Sequence, residues 1–316
     1  MKRFLKKLLV FAFVVYALAL GLDMLICKGL LRMDDYRFQD YRAMLEGGMD
    51  NDILIIGNSR GKSHFDTAVI DSLTGFSSFN IGIGGYPINV QLAKYQLYRE
   101  RNSKPAIVFQ NIDYSTVRTF KDIRNQHESE QFFPLVYDRV MRKQLRSMGY
   151  GFFDLNIPLY RMFGYQQVIK NGLLEALHIK HYASRPSYKG YLPEKGRWNG
   201  TELRKMKPEQ VALSDEGKRL LESFLSECNA DSIRVVLVNS PMYLGAQDKL
   251  LGYQDVREYF EQLAEKYGCI YLDYTDTPIC RDTANFCVSV HLNSEAAAQF
   301  TEILCKDLMV NGIIPE

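Results

Sequence analysis

Apolar residues recur along this chain in short uninterrupted runs that alternate with longer stretches of helical spacing. The run at residues 53–56 has the length and β-branched content of a strand buried on both faces. Further strands are predicted over 76–81, 106–109, 234–238 and 269–273. Helical spacing of apolar residues covers 64–73, 89–101, 214–228, 250–267 and 294–308. Strands that alternate with such helices are typical of βαβ units. We therefore predict a three-layer α/β fold, doubly wound around a mostly parallel five-stranded sheet.

Residues from about 115 to 206 interrupt this alternation. They are rich in Tyr, Phe, Arg and Lys and contain no convincing strand, so we predict a helical and loop-rich insertion. Long ordered excursions from a compact sheet usually have a function. The aromatic residues of the insertion, Trp198 among them, could line a groove for sugar rings. The alternative is a small packed subdomain.

The longest apolar run lies near the N-terminus, where the basic residues 1–7 precede the apolar residues 8–22. Together with the apolar residues that follow Asp23, this run approaches the roughly 20 residues that a membrane-spanning helix needs. A basic flank stays in the cytoplasm, which would place the following chain outside. We therefore predict a single-pass signal anchor over 1–28. The alternative is a signal peptide cleaved after Ala19.

The segment after the anchor carries many charged and aromatic residues. We interpret residues 29–50 as a juxtamembrane linker helix, which the pair Gly47-Gly48 would end. The globular domain then comprises residues 51–316 and contains the insertion.

Composition narrows the possible function classes. A formal net charge of +2 over 316 residues, with lysine and arginine spread along the chain, gives no support for a nucleic-acid partner. None of the 6 cysteines forms a Cys-x-x-Cys pair, so we do not expect a zinc or redox motif. We predict no metal and no cofactor. Cys280 and Cys287 could form a disulfide in an oxidising compartment. The alternative is that all the cysteines are buried thiols.

Polar residues follow the first predicted strand abruptly, in the order Gly57-Asn58-Ser59. Ser59 would lie at the carboxyl edge of the sheet, where open α/β folds place their ligand sites, and is a candidate nucleophile. The alternative is a helix cap formed by Asn58 or Ser59. A nucleophilic serine needs a base, and His291 comes just before the last predicted helix, at the same edge. The alternative for His291 is a surface position that caps this helix.

Four segments, in the expected order, resemble the sequence blocks of the SGNH (GDSL-type) hydrolases. They are Gly57-Asn58-Ser59-Arg60 and residues 80–85, 110–113 and 289–293. The resemblance extends over nearly the whole chain outside the anchor and the insertion. It implies that Ser59 is the nucleophile and His291 the base. It also implies an oxyanion site formed by the backbone N–H groups of Ser59 and Gly85 and by the amide of Asn111.

One position departs from the pattern of this family. The acid that orients the histidine normally lies three residues before it, and here that residue is Val288. Ser59 and His291 could act as a dyad in which a backbone carbonyl orients the ring, or an acid from elsewhere could substitute. The candidates for such an acid are Asp113, Asp273 and Asp282. A third possibility is a crippled site that binds rather than cleaves.

The third block is also degenerate. Either Asn111 or Asp113 could occupy its asparagine position. An aspartate there would oppose the negative charge that develops in the transition state, unless it were protonated or turned away.

Within this superfamily, an anchor, an outward SGNH domain and a central insertion resemble proteins of bacterial surface-polysaccharide acylation. These include alginate O-acetyltransferase accessory proteins and the D-alanyl transfer protein of teichoic acids. The resemblance implies extracytoplasmic transfer of an acyl group, expected to be acetyl, to or from a cell-surface polysaccharide. It also implies a membrane-bound O-acyltransferase as partner. The alternatives are a secreted esterase and a catalytically weak or inactive envelope protein that binds glycan or the acyltransferase.

Overall fold

The computed structural model describes residues 1–314, which group into two compact units. We call residues 1–45 and 121–186 the helical unit, and residues 46–120 and 187–314 the sheet unit. The strands are β1 (Ile53–Ile56), β2 (Ser78–Asn80), β3 (Ile107–Asn111), β4 (Glu209–Gln210), β5 (Arg234–Asn239), β6 (Leu250–Leu251), β7 (Ile270–Asp273), β8 (Phe286–Val288) and β9 (His291–Leu292). The helices are α1 (Lys2–Arg32), α2 (Tyr36–Glu46), α3 (Ser59–His64), α4 (Thr67–Thr74), α5 (Ile88–Arg101), α6 (Arg139–Ser147), α7 (Phe152–Asn156), α8 (Gln166–Ala176), α9 (Asp215–Ala230), α10 (Leu244–Gln247), α11 (Tyr253–Tyr267) and α12 (Ser294–Val310).

Five strands of the sheet unit form one parallel sheet in the order β2-β1-β3-β5-β7. This order confirms the predicted α/β fold with a five-stranded parallel sheet. The chain passes from β1 to β2 on one side and then to β3 on the other side of β1. The topological switch point therefore lies between β1 and β3, where doubly wound folds bind their ligands.

The main sheet is buried on both faces. Ile53 and Ile55 of β1 pack on one face into a core that includes Phe300 of α12. Leu54 and Ile56 point to the opposite face and are equally buried. Because alternate residues of a strand point to opposite faces, burial of both faces requires the continuous apolar run seen in β1.

Two features near the carboxyl edge of the sheet differ from the prediction. The helix predicted over 64–73 corresponds to α4, which begins only at Thr67 because the Asp66 carboxylate accepts the backbone N–H groups of Ala68 and Val69, and a separate short helix, α3, precedes it. Residues 286–292, which lie between the last predicted strand and the last predicted helix, form the antiparallel pair of β8 and β9. Short side-chain caps and hairpins of this kind leave little signal in apolar periodicity.

The helical unit is built around α1. This helix is long and apolar enough to cross a membrane by length and composition, and its residues 1–18 are exposed. Its C-terminal part packs closely against α8. A Cβ atom added to Gly29 would lie 1.8 Å from the carbonyl oxygen of Gly172, so only glycine permits this approach. Within the predicted linker, α1 continues to Arg32 and α2 follows.

The predicted insertion is divided between the two units. Residues 121–186 belong to the helical unit, whereas residues 187–206 belong to the sheet unit. Trp198 lies in the second part and is 7% exposed. Its ring packs edge-on against Tyr243, with the ring centroids 5.2 Å apart. Trp198 is thus part of the sheet unit's core and does not line a groove for sugar rings.

The cysteine thiols of the described chain are free, so Cys280 and Cys287 do not form the disulfide that their spacing allowed. Cys280 is completely buried, and its Sγ donates to the carbonyl oxygen of Tyr274 at 3.2 Å. The half-buried Cys287 donates from its Sγ to the carbonyl oxygen of His291 at 3.5 Å. Each thiol therefore has its own hydrogen-bond acceptor within the fold.

Candidate active site

Ser59 is the first residue of α3, directly beyond the carboxyl end of β1. Asn58 caps this helix, because its Oδ1 accepts the backbone N–H of Arg60 at 3.0 Å. The sharp turn before it requires Gly57, since an added Cβ would lie 2.8 Å from the Cβ of Asn111. The cap alternative therefore applies to Asn58, and the hydroxyl of Ser59 takes no part in capping.

The structure brings His291 to Ser59. His291 opens β9 just before α12, and its Nε2 lies 2.8 Å from the Oγ of Ser59. Burial and the nearby Arg60 guanidinium lower the pKa of His291 to about 4, although Asp113 acts in the opposite direction. The imidazole is therefore neutral at pH 7, and its Nε2 can accept the proton of the serine hydroxyl.

The three candidate acids have other partners. Asp273 accepts hydrogen bonds from the Nε of Arg257 at 2.7 Å and from the Oγ1 of Thr275 at 2.6 Å. Asp282 caps a short turn through the backbone N–H of Ala284. Asp113 is bound to Asn58. Within residues 1–314, no carboxylate forms a hydrogen bond or an ion pair with His291.

His64 packs against His291 and contacts the residue that follows it. The Nε2 of His64 accepts the backbone N–H of Leu292 at 3.1 Å, and its Nδ1 lies 3.0 Å from the Oγ of Ser240. Because a backbone N–H can only donate, we assign the ring proton of His64 to Nδ1, which donates to Ser240. Complete burial, together with Arg60 and His291, holds the pKa of His64 well below its usual value. The His64 ring meets the His291 ring edge-on, at 6.2 Å between centroids.

Behind Ser59 lies a buried ion pair. The Nη1 of Arg60 lies 3.4 Å from the Oδ2 of Asp113, and both side chains are almost completely buried. Asn58 donates to the same carboxylate at 2.6 Å, and Ser115 donates from its hydroxyl at 2.8 Å. Burial would raise the pKa of Asp113, but Arg60 and these hydrogen bonds hold it below its usual value. Asp113 is therefore ionised, and its charge is balanced by Arg60.

The glycine loop after β2 runs beside the nucleophile. A Cβ added to Gly84 would lie 3.8 Å from the Cβ of Ser59, and Gly85 is exposed with a φ of +77°. The loop is attached to the nucleophile turn by the backbone N–H of Ile83, which donates to the carbonyl of Gly57 at 2.9 Å. Within the described chain, the backbone N–H groups of Ser59, Gly84 and Gly85 donate to no acceptor. These groups are available to an oxyanion.

Asn111 lies deeper than the other candidates. Its side chain is fully buried, and its Nδ2 points to the Oδ1 of Asn58 at 3.4 Å. Its Oδ1 has no hydrogen-bond partner. A direct role of Asn111 in oxyanion binding stays a prediction, since the amide now lies behind the turn that presents Ser59.

Three site residues were not anticipated from the sequence: Arg60, His64 and Ser240. Arg60 also donates to the backbone carbonyl of Ser240, so all three form one buried network. A signal was present at the end of β5, where Asn239-Ser240-Pro241 follows an apolar run much as Gly57-Asn58-Ser59 follows β1. Polar residues at the carboxyl ends of adjacent parallel strands are neighbours in space.

No group of histidine, cysteine, aspartate and glutamate side chains in residues 1–314 has an arrangement that could hold a metal ion. The groups that the site presents are the hydroxyl of Ser59, the neutral imidazole of His291 and backbone N–H groups.

Comparison with known proteins found a similarity in structure. No protein-family model matches the chain, and no curated protein matches it. Among solved structures, the chain is similar to one assigned as a lipolytic protein of the G-D-S-L family from Desulfitobacterium hafniense DCB-2. The two share 9% sequence identity with a TM-score of 0.42, over 81% of this chain and 99% of that chain. At this level of similarity, the interpretation of the site depends on its own geometry.

Proposed function

We propose that the sheet unit is an SGNH-type serine esterase or O-acyltransferase, in which Ser59 carries the acyl group. The observation that supports this most is the 2.8 Å distance between the Oγ of Ser59 and the Nε2 of His291. Two residues so far apart in the chain form the pair that a serine nucleophile needs, at the switch point of a doubly wound sheet.

The proposed reaction has two half-reactions. In the first, the Oγ of Ser59 attacks the carbonyl carbon of an acyl ester while its proton passes to the Nε2 of His291. The bond to the leaving alcohol breaks, and His291 returns the proton to that alcohol. In the second, a hydroxyl group or water gives its proton to His291 and attacks the acyl-serine. The bond between the acyl group and the Oγ of Ser59 then breaks, and His291 returns the proton to this oxygen, which releases the acylated product and restores Ser59.

Backbone N–H groups would stabilise the oxyanion of both steps. Those of Ser59, Gly84 and Gly85 have no acceptor in the described chain, and Gly84 lies directly beside Ser59. Donors of this kind contribute roughly 3–4 kcal/mol each when they point at the developing charge. The ionised Asp113 does not cancel this contribution, because Arg60 balances its charge.

We further propose that the acyl group is acetyl and that its donor or acceptor is a cell-surface polysaccharide. The support comes from the resemblance to polysaccharide O-acetylation proteins together with the apolar helix α1. In this proposal α1 anchors the chain with its N-terminus in the cytoplasm and the sheet unit outside. A membrane-bound O-acyltransferase would be its partner.

One observation favours a second candidate function. No carboxylate of residues 1–314 contacts His291, and in the Ser-His-Asp template loss of the orienting acid costs about 10⁴-fold in rate. The alternative is therefore a catalytically weak or inactive SGNH-fold envelope protein that binds glycan or a membrane O-acyltransferase through the inherited cleft.

Covalent labelling separates these functions. We expect a fluorophosphonate probe to label the full-length chain and 4-nitrophenyl acetate to be hydrolysed. Ser59→Ala should abolish both, and the control Ser147→Ala should change neither, because Ser147 is an exposed serine of α6. Absence of labelling in the parent chain would rule out the nucleophile. Labelling without hydrolysis would instead indicate a transferase that requires a sugar acceptor.

A further inference from the structure

The helical unit exposes an unusual number of aromatic side chains in one short segment, residues 152–163, which we call the aromatic segment. Phe152 is 68% exposed and Phe153 58%, while Phe163 at the end of the segment is 89% exposed. Phe153 packs against Phe152 and Tyr160, with ring centroids 5.8 and 5.5 Å apart. Contiguous exposed apolar groups on a protein surface indicate a partner of apolar character.

The aromatic segment lies beside the exposed part of α1. The hydroxyl of Tyr16 donates to the carbonyl oxygen of Asn156 at 3.0 Å. Tyr16 and Leu20 of α1 also border a cavity of about 190 Å³ whose other walls include Ile157 and Arg161. The aromatic segment therefore contacts α1 at Tyr16 and Leu20, next to the exposed N-terminal part of the helix.

The position of Asp23 on α1 indicates how deep in a bilayer this contact would lie. Asp23 lies about 22 Å along the helix from Leu8, the start of the apolar run, at a rise of roughly 1.5 Å per residue. The hydrocarbon core of a bilayer is roughly 30 Å thick, so a spanning α1 would carry Asp23 in or at the edge of that core. Arg161, from the aromatic segment, forms a bidentate ion pair with Asp23 at 2.6 and 2.8 Å. Arg161 and the adjoining part of the aromatic segment must therefore lie at the same depth in the bilayer as Asp23.

The helix next to the aromatic segment is basic. Arg142 of α6 donates to the carbonyl oxygen of Leu155 and to the side chain of Asn156, which joins α6 to α7. Lys143 and Arg146 of α6 are exposed, and this helix contains no acidic residue. A basic surface beside an apolar one suits the boundary between anionic headgroups and acyl chains.

We propose that the aromatic segment is embedded in the membrane interface on the side of the C-terminal end of α1, so that the helical unit contacts the bilayer at two places. This proposal requires that α1 crosses the membrane. The partner it assigns to the aromatic segment is the lipid bilayer itself. The experiment described below distinguishes the bilayer from a second copy of the chain or another protein on this surface.

The test places tryptophan in the full-length chain, reconstituted in vesicles of phosphatidylglycerol and brominated phosphatidylcholine. Phe153→Trp is the probe, and Phe11→Trp reports whether α1 is inserted. The matched control is Ile179→Trp, because Ile179 is also an exposed apolar residue of the helical unit. It directly follows His178, whose Nε2 lies 3.0 Å from Arg32 at the far end of α1. The native Trp198 stays in all variants, and the parent spectrum is subtracted.

We expect the emission of Phe153→Trp to shift to shorter wavelength and to be quenched by the brominated lipid at least about twofold more than that of Ile179→Trp. Equal quenching at these two positions, with Phe11→Trp strongly quenched, would overturn the proposal while leaving the anchor intact. A blue shift at position 153 without lipid quenching would overturn it in favour of a protein partner. Lack of quenching at Phe11→Trp would overturn both the proposal and the anchor.

Discussion

The Nε2 of His291 lies 2.8 Å from the Oγ of Ser59, although the two residues are separated by 232 positions in the chain. The contact forms because β1 ends at the switch point of the sheet and β9 returns to the same edge just before α12. The other ring nitrogen of His291 has no carboxylate partner among the described residues, and Val288 lies opposite His291 in the β8–β9 pair. In the proposed reaction, Ser59 and His291 would therefore act as a dyad without an orienting acid.

Val288→Asp should raise kcat/KM for 4-nitrophenyl acetate by about tenfold or more, since an acid that orients the histidine contributes up to about 10⁴-fold in related triads. Val288 is 37% exposed, so the new carboxylate can be accommodated without burial of an unpaired charge. It should also raise the pKa of His291. Val288→Asn is the control, with similar size and no charge. An active parent that Val288→Asp leaves unchanged would show that the ring is already well oriented.

The pH dependence of kcat/KM should show an acid limb at about 4, because His291 must be neutral to accept the serine proton and its pKa is lowered to about 4. Below this pH the imidazolium cannot act as a base, and above it the rate reaches a plateau that extends through neutral pH. Steady-state kinetics from pH 3.5 to 8 would measure this profile. A limb near the ordinary histidine value of about 6.5 would contradict the burial of His291 beside Arg60.

Arg60→Met should lower the free energy of unfolding by about 3–5 kcal/mol, because it leaves the buried Asp113 carboxylate without its counter-charge. Asp113→Asn should be destabilising for the reciprocal reason. The double variant should recover much of the loss, since neither charge then remains buried alone. Urea denaturation of the four proteins gives the coupling energy, and additive losses in the double variant would show that the two charges do not interact.

His64 does not contact the reacting atoms. His64→Phe should nevertheless lower kcat/KM about 10²-fold, because displacement of His291 by about 1 Å would have an effect of this size. The variant keeps the ring against His291 but leaves the N–H of Leu292 without its acceptor. His64→Gln should restore part of the rate, since its amide can accept from Leu292 and donate to Ser240. The labelling rate of Ser59 provides the second readout, and equal defects in both variants would indicate a purely structural role.

His64 also affects stability in acid. Its pKa is held well below the ordinary value in the folded protein, so the unfolded chain binds a proton that the folded chain refuses. The free energy of unfolding should therefore fall as the pH drops below about 6.5, the unfolded value. In His64→Phe this part of the pH dependence should disappear, which chemical denaturation at pH 7 and pH 5 would reveal.

Much of the fold could be predicted because strands buried on both faces must be apolar throughout. Ile53, Leu54, Ile55 and Ile56 form such a run, and the sharp change at Gly57 marks its end. The capping and hairpin details were less predictable. Asp66 sets the start of α4 by accepting two backbone N–H groups, which the apolar spacing alone does not indicate.

The candidate site was only partly predictable, for a different reason. Ser59 and His291 were indicated by their positions at strand and helix ends, since those ends meet at one edge of a parallel sheet. The sequence did not indicate the partners of Asp113 and Asp273, because an aspartate at such an edge can pair with any nearby cation. The structure pairs Asp113 with Arg60 and Asp273 with Arg257, which leaves His291 without either.

The sequence by itself determined the five-stranded α/β architecture, the long apolar helix near the N-terminus and the placement of Ser59 directly after β1. These features depend on the order and periodicity of residues that are close together in the chain. Only the tertiary structure decided that His291 reaches Ser59, that His64 and Ser240 support it, and that Arg161 neutralises Asp23. Such contacts join segments more than a hundred residues apart, and their geometry depends on how whole elements pack.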